Sequence, residues 1–257
     1  YSNILTLNLY YKIIIIQKER IKMKNFLTFF IIFTFFTNLK ADILPNFFKD
    51  YETKGVFVLY DGKSFLTNDK KRADLGIIQD EKEIFYFYNN EKVFLPSWKN
   101  DANLSSALKR SQVPAFKFLA RKIGKENMQK NLTLIHYGNQ KISQIDSFWL
   151  DNSLKINAKE QAILLYKLAT TSLPYSLKSQ KILKNLLLYK EINGVKIYAK
   201  TGFNDEAQIA SIVGFYELNQ QAFSFGLNLD IKDYKSLAKR EEILEKYLKF
   251  LIKTGRV

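Results

Sequence analysis

The sequence predicts a mixed α+β domain: a five-stranded antiparallel sheet flanked by terminal helices, with a helical lobe inserted between its strands. Three observations carry this. Strand-like runs lie at both ends of residues 42–257, at Val56–Tyr60 and Ser64–Thr67, then at Val195–Ala199, Ile209–Leu218 and Ala222–Leu229. Helix-like periodicity fills the middle. A last amphipathic segment, Tyr234–Ile252, carries Leu237, Ile243, Leu244, Tyr247, Leu248 and Leu251 at helical spacing. A terminal helix lying on the sheet is the simplest way to bury these faces together.

Taken in order, Asn46–Tyr51 reads as a short amphipathic helix. Val56–Tyr60 and Ser64–Thr67 form a hairpin around Asp61-Gly62, a favoured two-residue turn. Ile84–Tyr88 and Lys92–Leu95 read as extended, closed by Pro96-Ser97-Trp98. Helices are expected at Leu104–Arg110, at Pro114–Ile123 with Gly124 as stop, and at Glu126–Ile135. Asn157–Thr170 has an Asn N-cap and an apolar face at Ala162, Leu165, Leu168 and Ala169, and Leu177–Tyr189 reads as a further helix. Asn193-Gly194 then sets a tight turn before Val195, Ile197 and Ala199, whose period of two is that of a strand. That strand runs into Lys200-Thr201-Gly202-Phe203-Asn204.

Composition narrows the chemistry. The 257 residues include no cysteine, so neither a disulfide nor a thiolate nucleophile is available. One histidine, His136, argues against a histidine metal cage and a Ser-His-Asp triad, and it reads as a turn or core residue. No carboxylate cluster asks for a metal. The net charge is +15, of which residues 1–41 hold six cations against Glu19. The remaining lysines are scattered along helices, so they read as a solvated surface and no nucleic-acid partner is expected.

The N-terminus reads as two pieces. Met23-Lys24-Asn25, the apolar run Phe26–Phe36 and Leu39-Lys40-Ala41 have the layout of a cleavable secretory signal, so 23–41 is expected to direct export to the periplasm. The run falls short of the roughly 20 apolar residues of a bilayer span, so no stable membrane anchor is expected. Residues 1–22 read as translated leader ahead of a start at Met23, and 1–41 are set aside from the fold.

Within 42–257 four short motifs occur in order: Ser111-Gln112-Val113, Tyr137-Gly138-Asn139, Phe148-Trp149-Leu150-Asp151, and Lys200-Thr201-Gly202. This order, with Ile145–Leu150 and Leu154-Lys155-Ile156, resembles the class D (oxacillinase-type) serine β-lactamases. The resemblance implies the β-lactamase/transpeptidase-like fold and hydrolysis of the β-lactam amide through an acyl-serine. It implies a catalytic part for Ser111, as proton relay to the leaving nitrogen, and for Lys200, which would orient the Ser111 hydroxyl and supply positive potential. Val113 would shield the family's catalytic lysine, and Trp149 would hold that lysine's carbamate. Tyr137 and Asn139 would shape the pocket. Thr201, beside Gly202, would bind the substrate carboxylate with Arg240 as second ligand. The Phe203 backbone N–H would be half of an oxyanion hole. The implied partners are β-lactam small molecules, with no metal and no cofactor beyond carbon dioxide on the family lysine.

That lysine has no counterpart. The family places Ser-x-x-Lys at the start of a buried helix, so that serine and lysine share one helix face. Here Asn68–Ala73 runs directly into Asp74–Ile78. The first piece looks like the lead-in to that helix and the second like its end, which reads as an in-frame deletion at 73/74. Two Ser-x-x-Lys patterns remain elsewhere, Ser106–Lys109 and Ser236–Lys239, and both read as helix-surface pairs. Removing the nucleophile of a serine hydrolase costs on the order of 10⁶ in kcat. Six lost core side chains, at roughly 1.5–3 kcal/mol each, would rival the whole stability of a domain. The sequence therefore predicts an inactive, poorly folded chain. The rival expectations are a non-catalytic periplasmic binder and a non-functional remnant. Ser211 is a further departure, since relatives commonly carry Trp there.

Overall fold

The computed structural model describes residues 13–15, 45–60, 78 and 80–254. Its strands are β1 (Ile13–Ile15), β2 (Gly55–Tyr60), β3 (Leu188–Ile192), β4 (Val195–Asn204), β5 (Ile209–Leu218) and β6 (Gln221–Asp230). Its helices are α1 (Leu104–Arg110), α2 (Val113–Ile123), α3 (Lys125–Leu134), α4 (Ala158–Ala169), α5 (Leu177–Leu186) and α6 (Lys239–Thr254). The strands form one antiparallel sheet in the order β1-β2-β6-β5-β4-β3. Five of them come from the domain read from residue 42 onward.

One of those five differs from the expectation. The helix expected over Leu177–Tyr189 stops at Leu186, and Leu188–Ile192 pairs with β4 as an edge strand. The physical reason is the turn that follows. Asn193 and Gly194 both have positive φ, 50° and 79°, the geometry of the tightest hairpin connection, and it brings Ile192 opposite Val195. A hairpin needs a strand on each side of its turn. The expected strand Ser64–Thr67 lies outside the described residues. At the edge of β2, Ile13, Ile14 and Ile15 pair with Tyr60, Leu59 and Val58, although 1–41 had been set aside from the fold. Three β-branched residues in a row suit such an edge.

The two faces of the sheet are covered differently. On one, Phe57, Leu59, Ile197, Ile212, Phe225 and Leu227 pack against Ile243, Leu244, Tyr247, Leu248 and Leu251 of α6. The Phe57 and Tyr247 rings stack at 4.3 Å. The expected apolar face of the terminal helix is thus the buried one. Its first turn is a separate 3-10 turn, Tyr234–Ala238, capped by Asp233. At the other end the expected helix Asn46–Tyr51 is only the 3-10 turn Lys49–Tyr51. The opposite face receives α4. Val58 and Tyr60 meet Ala158, Ala162 and Tyr166, while Phe215 meets Leu168 and Ala169. Gly226 permits this approach, because a Cβ there would stand 2.5 Å from the Ala158 carbonyl oxygen. Ser224 Oγ, buried, donates to Ala162 O at 2.6 Å.

The lobe helices follow their caps. Asn103 and Ser106 form a reciprocal capping box at α1, and Asn157 and Glu160 form another at α4. Gly124 ends α2 as expected. The segments expected to be extended around 84–95 contribute only an isolated bridge, Tyr86 to Ala102.

Candidate active site

The site is organised by β4. Val195, Ile197 and Ala199 point into the α6 side of the core. Successive side chains alternate faces, so Tyr198 and Lys200 point to the other side, where the Tyr198 ring stacks on Phe215 at 4.8 Å. The partner strand β3 pairs no further along β4 than Tyr198, with one more bond from Ala199 N–H to Leu187 O. From Lys200 to Asn204 the strand is paired by β5 on one side. Its other edge has no strand neighbour among the described residues. The strand thus becomes a wall at Lys200-Thr201-Gly202.

Lys200 Nζ donates to Ser111 Oγ at 2.5 Å and to Thr201 O at 3.0 Å. Burial pulls the Lys200 pKa below its ordinary value, and the Arg240 charge lowers it further. Arg240, near the start of α6, donates from Nη1 to Gly202 O at 3.0 Å and lies 3.7 Å from the Glu241 carboxylate. Its Nε is buried without a protein acceptor. Burial depresses this guanidinium's pKa too, although an arginine stays charged at any physiological pH. Arg240 thus bonds the Gly202 carbonyl, and Lys200 the carbonyl of Thr201 beside it. Gly202 itself is required by close approach, because a Cβ there would stand 2.5 Å from Ser211 Oγ. Phe203 is half-buried and meets Tyr234 edge-on at 5.4 Å.

Ser111 reaches this wall from the corner between α1 and α2. It caps α1 in a left-handed conformation, φ 48° and ψ 46°, uncommon for a residue with a side chain. Both neighbours are held. The Trp98 indole N–H donates to Arg110 O at 2.9 Å. The fully buried Gln112 amide donates to Trp98 O at 3.0 Å and Asn100 O at 2.7 Å. The sequence reading missed Gln112 and Trp98. A buried amide between a serine and an α2 that opens Val113-Pro114 was the available signal. Val113 is the half-buried first residue of α2.

Tyr137, Asn139 and Trp149 stand in a neighbouring part of the lobe. Tyr137 and Trp149 pack in an apolar cluster with Leu132, Ile142 and Phe148, and burial raises the Tyr137 pKa. Asn139 is a staple: its Oδ1 accepts from Lys155 N–H at 3.0 Å and Lys141 N–H at 3.2 Å, and its Nδ2 donates to Ser153 O at 2.8 Å. Gly138, at φ +52°, lets the Lys155 carbonyl approach. The loop bearing Trp149 is closed by Asp151, whose carboxylate accepts from Ser143 Oγ at 2.5 Å and Ser147 Oγ at 3.0 Å. Asn152 ties this loop to Asn204 and Glu206 at the far end of β4.

The two Ser-x-x-Lys patterns are used structurally. Ser106 Oγ accepts from Asn103 N–H at 3.1 Å and donates to Asn103 O. Ser236 Oγ donates to Asp233 Oδ1 at 3.1 Å, and Lys239 Nζ reaches Tyr51 O. His136 occupies a turn at φ 52°. Among the described residues no group of three metal-ligating side chains occurs.

Comparison with known proteins places this arrangement. Residues 74–249 match the model of the penicillin binding protein transpeptidase domain. The chain belongs to that family. Within it, its relatives are class D β-lactamases. Beta-lactamase OXA-48 of Klebsiella pneumoniae is 34% identical over 226 residues, covering 79% of this chain and 85% of the relative. Probable beta-lactamase YbxI of Bacillus subtilis is 32% identical over 223 residues, covering 78% and 82%. The structure of FUS-1 (OXA-85), a class D β-lactamase from Fusobacterium nucleatum subsp. polymorphum, superposes with a TM-score of 0.72. It is 39% identical and covers 79% of this chain and 95% of that one. The chain is thus a class D β-lactamase by family, a hydrolase lineage that acts on β-lactams.

Proposed function

We propose that this class D chain binds β-lactams at the Lys200–Gly202 wall and does not turn them over. Lys200, Thr201 and Arg240 would hold the substrate carboxylate, with the Phe203 N–H aimed at the lactam carbonyl. One observation carries the second half of the reading. Both Ser-x-x-Lys serines present in the sequence are engaged in helix caps, away from the Ser111–Lys200 contact. The sequence offers no further Ser-x-x-Lys in which the lysine that the family carbamylates could stand, and no step is routed through a carbamate. The alignments support a missing segment. The 226 positions aligned with OXA-48 exceed the 79% of 257 residues that they cover, so gaps open on this chain's side. The family match also begins at residue 74, beside the proposed junction. Export through 23–41 would place the protein in the periplasm, where β-lactams and peptidoglycan stems are met.

The test is direct. The purified chain is expected to bind benzylpenicillin by calorimetry and to leave a chromogenic cephalosporin uncleaved over many equivalents. Catalytic turnover would overturn the reading, and absence of binding would favour a remnant without function.

A further inference from the structure

The Ser111 corner has features of a nucleophile as well as of a relay. Its hydroxyl lies 2.5 Å from an amine whose pKa burial lowers. Its backbone is held in a left-handed conformation, as reactive serines often are on strained turns ahead of a helix. The hold is specific: the Trp98 indole N–H donates to the carbonyl of Arg110, before Ser111, and the amide of Gln112, after it, donates to the Trp98 and Asn100 carbonyls. Gln112 is buried with its own Oε1 lacking a partner, a cost that a merely space-filling side chain would avoid. No side chain caps the N-terminus of α2, which opens two residues after Ser111 and favours negative charge nearby. The unpaired edge of β4 runs from the same point.

We propose that Ser111 and Lys200 form a serine–lysine dyad that is acylated once by a bound β-lactam. This rests on the binding proposed above. Neutral Lys200 Nζ takes the Ser111 proton as Oγ bonds to the lactam carbonyl carbon. The ring C–N bond then breaks, and the ring nitrogen receives that proton from Lys200. The product is a Ser111 ester carrying the whole β-lactam, with no atom lost. The reaction stops at this ester and is stoichiometric.

The experiment incubates the full chain with benzylpenicillin and follows intact mass, peptide mapping and hydroxylamine sensitivity. The expected result is one added penicillin per chain, on Ser111, released by hydroxylamine as an ester should be. Ser111→Ala should abolish it. Lys200→Met, which keeps the side chain's bulk, should slow it by about 100-fold, the scale of a lost general base. Ser106→Ala should leave it unchanged. An adduct on Lys200 or on any other residue, or none despite calorimetric binding, overturns the dyad while leaving the binding proposal intact. No binding at all overturns both. The mapping is done on the unaltered chain, so it decides the matter even if a variant fails to fold.

Discussion

The two halves of β4 share one strand and have different surroundings. Val195–Ala199 is bonded along β3 and, from Ile197 on, along β5 as well, and it points three buried side chains at α6. Among the described residues Lys200–Asn204 is paired by β5 alone, and each of its residues is only partly buried. The first half is sheet, held by apolar burial. The second is a wall whose Lys200 bonds Ser111 and Thr201 O and whose Gly202 carbonyl accepts from Arg240. What separates them is the length of β3. β3 pairs no further than Tyr198, and after the Ala199 N–H bond to Leu187 O the described residues supply no second strand neighbour to Lys200–Asn204. The candidate chemistry thus begins where β4 loses its pairing with β3.

Four measurements would break or sharpen this contrast. The largest effect is expected in the sheet half. Ile197→Ala should destabilise the fold by about 2–5 kcal/mol in urea unfolding, since Ile197 is wholly buried. A loss below 1 kcal/mol would show that this half is not the packed one. Next is Gly214→Ala, opposite Ala199. Its new methyl would stand 2.2 Å from the Tyr198 carbonyl oxygen, so a loss of about 1–3 kcal/mol is expected. Gly202→Ala in the wall half meets only the Ser211 hydroxyl, and it should cost less than Gly214→Ala. The double change Gly202→Ala with Ser211→Gly should recover most of that loss, which a double-mutant cycle reads directly. An equal cost for the two glycines would refute the contrast.

The smallest effect is in the pH profile. Burial lowers the folded-state pKa of Lys200 beneath its unfolded value of about 10.4. Between those two values the unfolded chain binds more protons, so this lysine's contribution to stability rises with pH across that interval. Relative to Lys200→Met, the unaltered chain should therefore gain stability on going from neutral pH toward pH 10. Parallel stability curves for the two proteins would mean that Lys200 is not desolvated.

Much of the lobe could be read from local signals. Asn103 and Asn157 announce α1 and α4 because a cap is satisfied within three residues. Gly124 ends α2 for the same local reason. The α6 face is legible because its apolar spacing repeats over four turns. The β3 strand was hidden, because the helical spacing of Leu177–Leu186 runs on into Leu188 and Tyr189 without a breaker. The Trp98–Gln112 hold was equally invisible, since it joins residues 14 positions apart through a side chain and a carbonyl. Ser64–Thr67 and the junction at 73/74 lie outside the described residues.

By itself the sequence determined the class of fold, the apolar faces of α4 and α6, the turn at Asn193-Gly194 and the order of the family motifs. Those depend on patterns a few residues long or on ordered identity along the chain. The tertiary structure supplied the Ser111–Lys200 contact across 89 positions that the family motifs implied, and it alone decided that Arg240 bonds the Gly202 carbonyl and that, among the described residues, β4 has no second strand neighbour from Lys200 on. Such contacts depend on how the strands register and how far α1 reaches toward the sheet. Ser106 shows the same division: its spacing to Lys109 belongs to the sequence, but its engagement by Asn103 belongs to the fold.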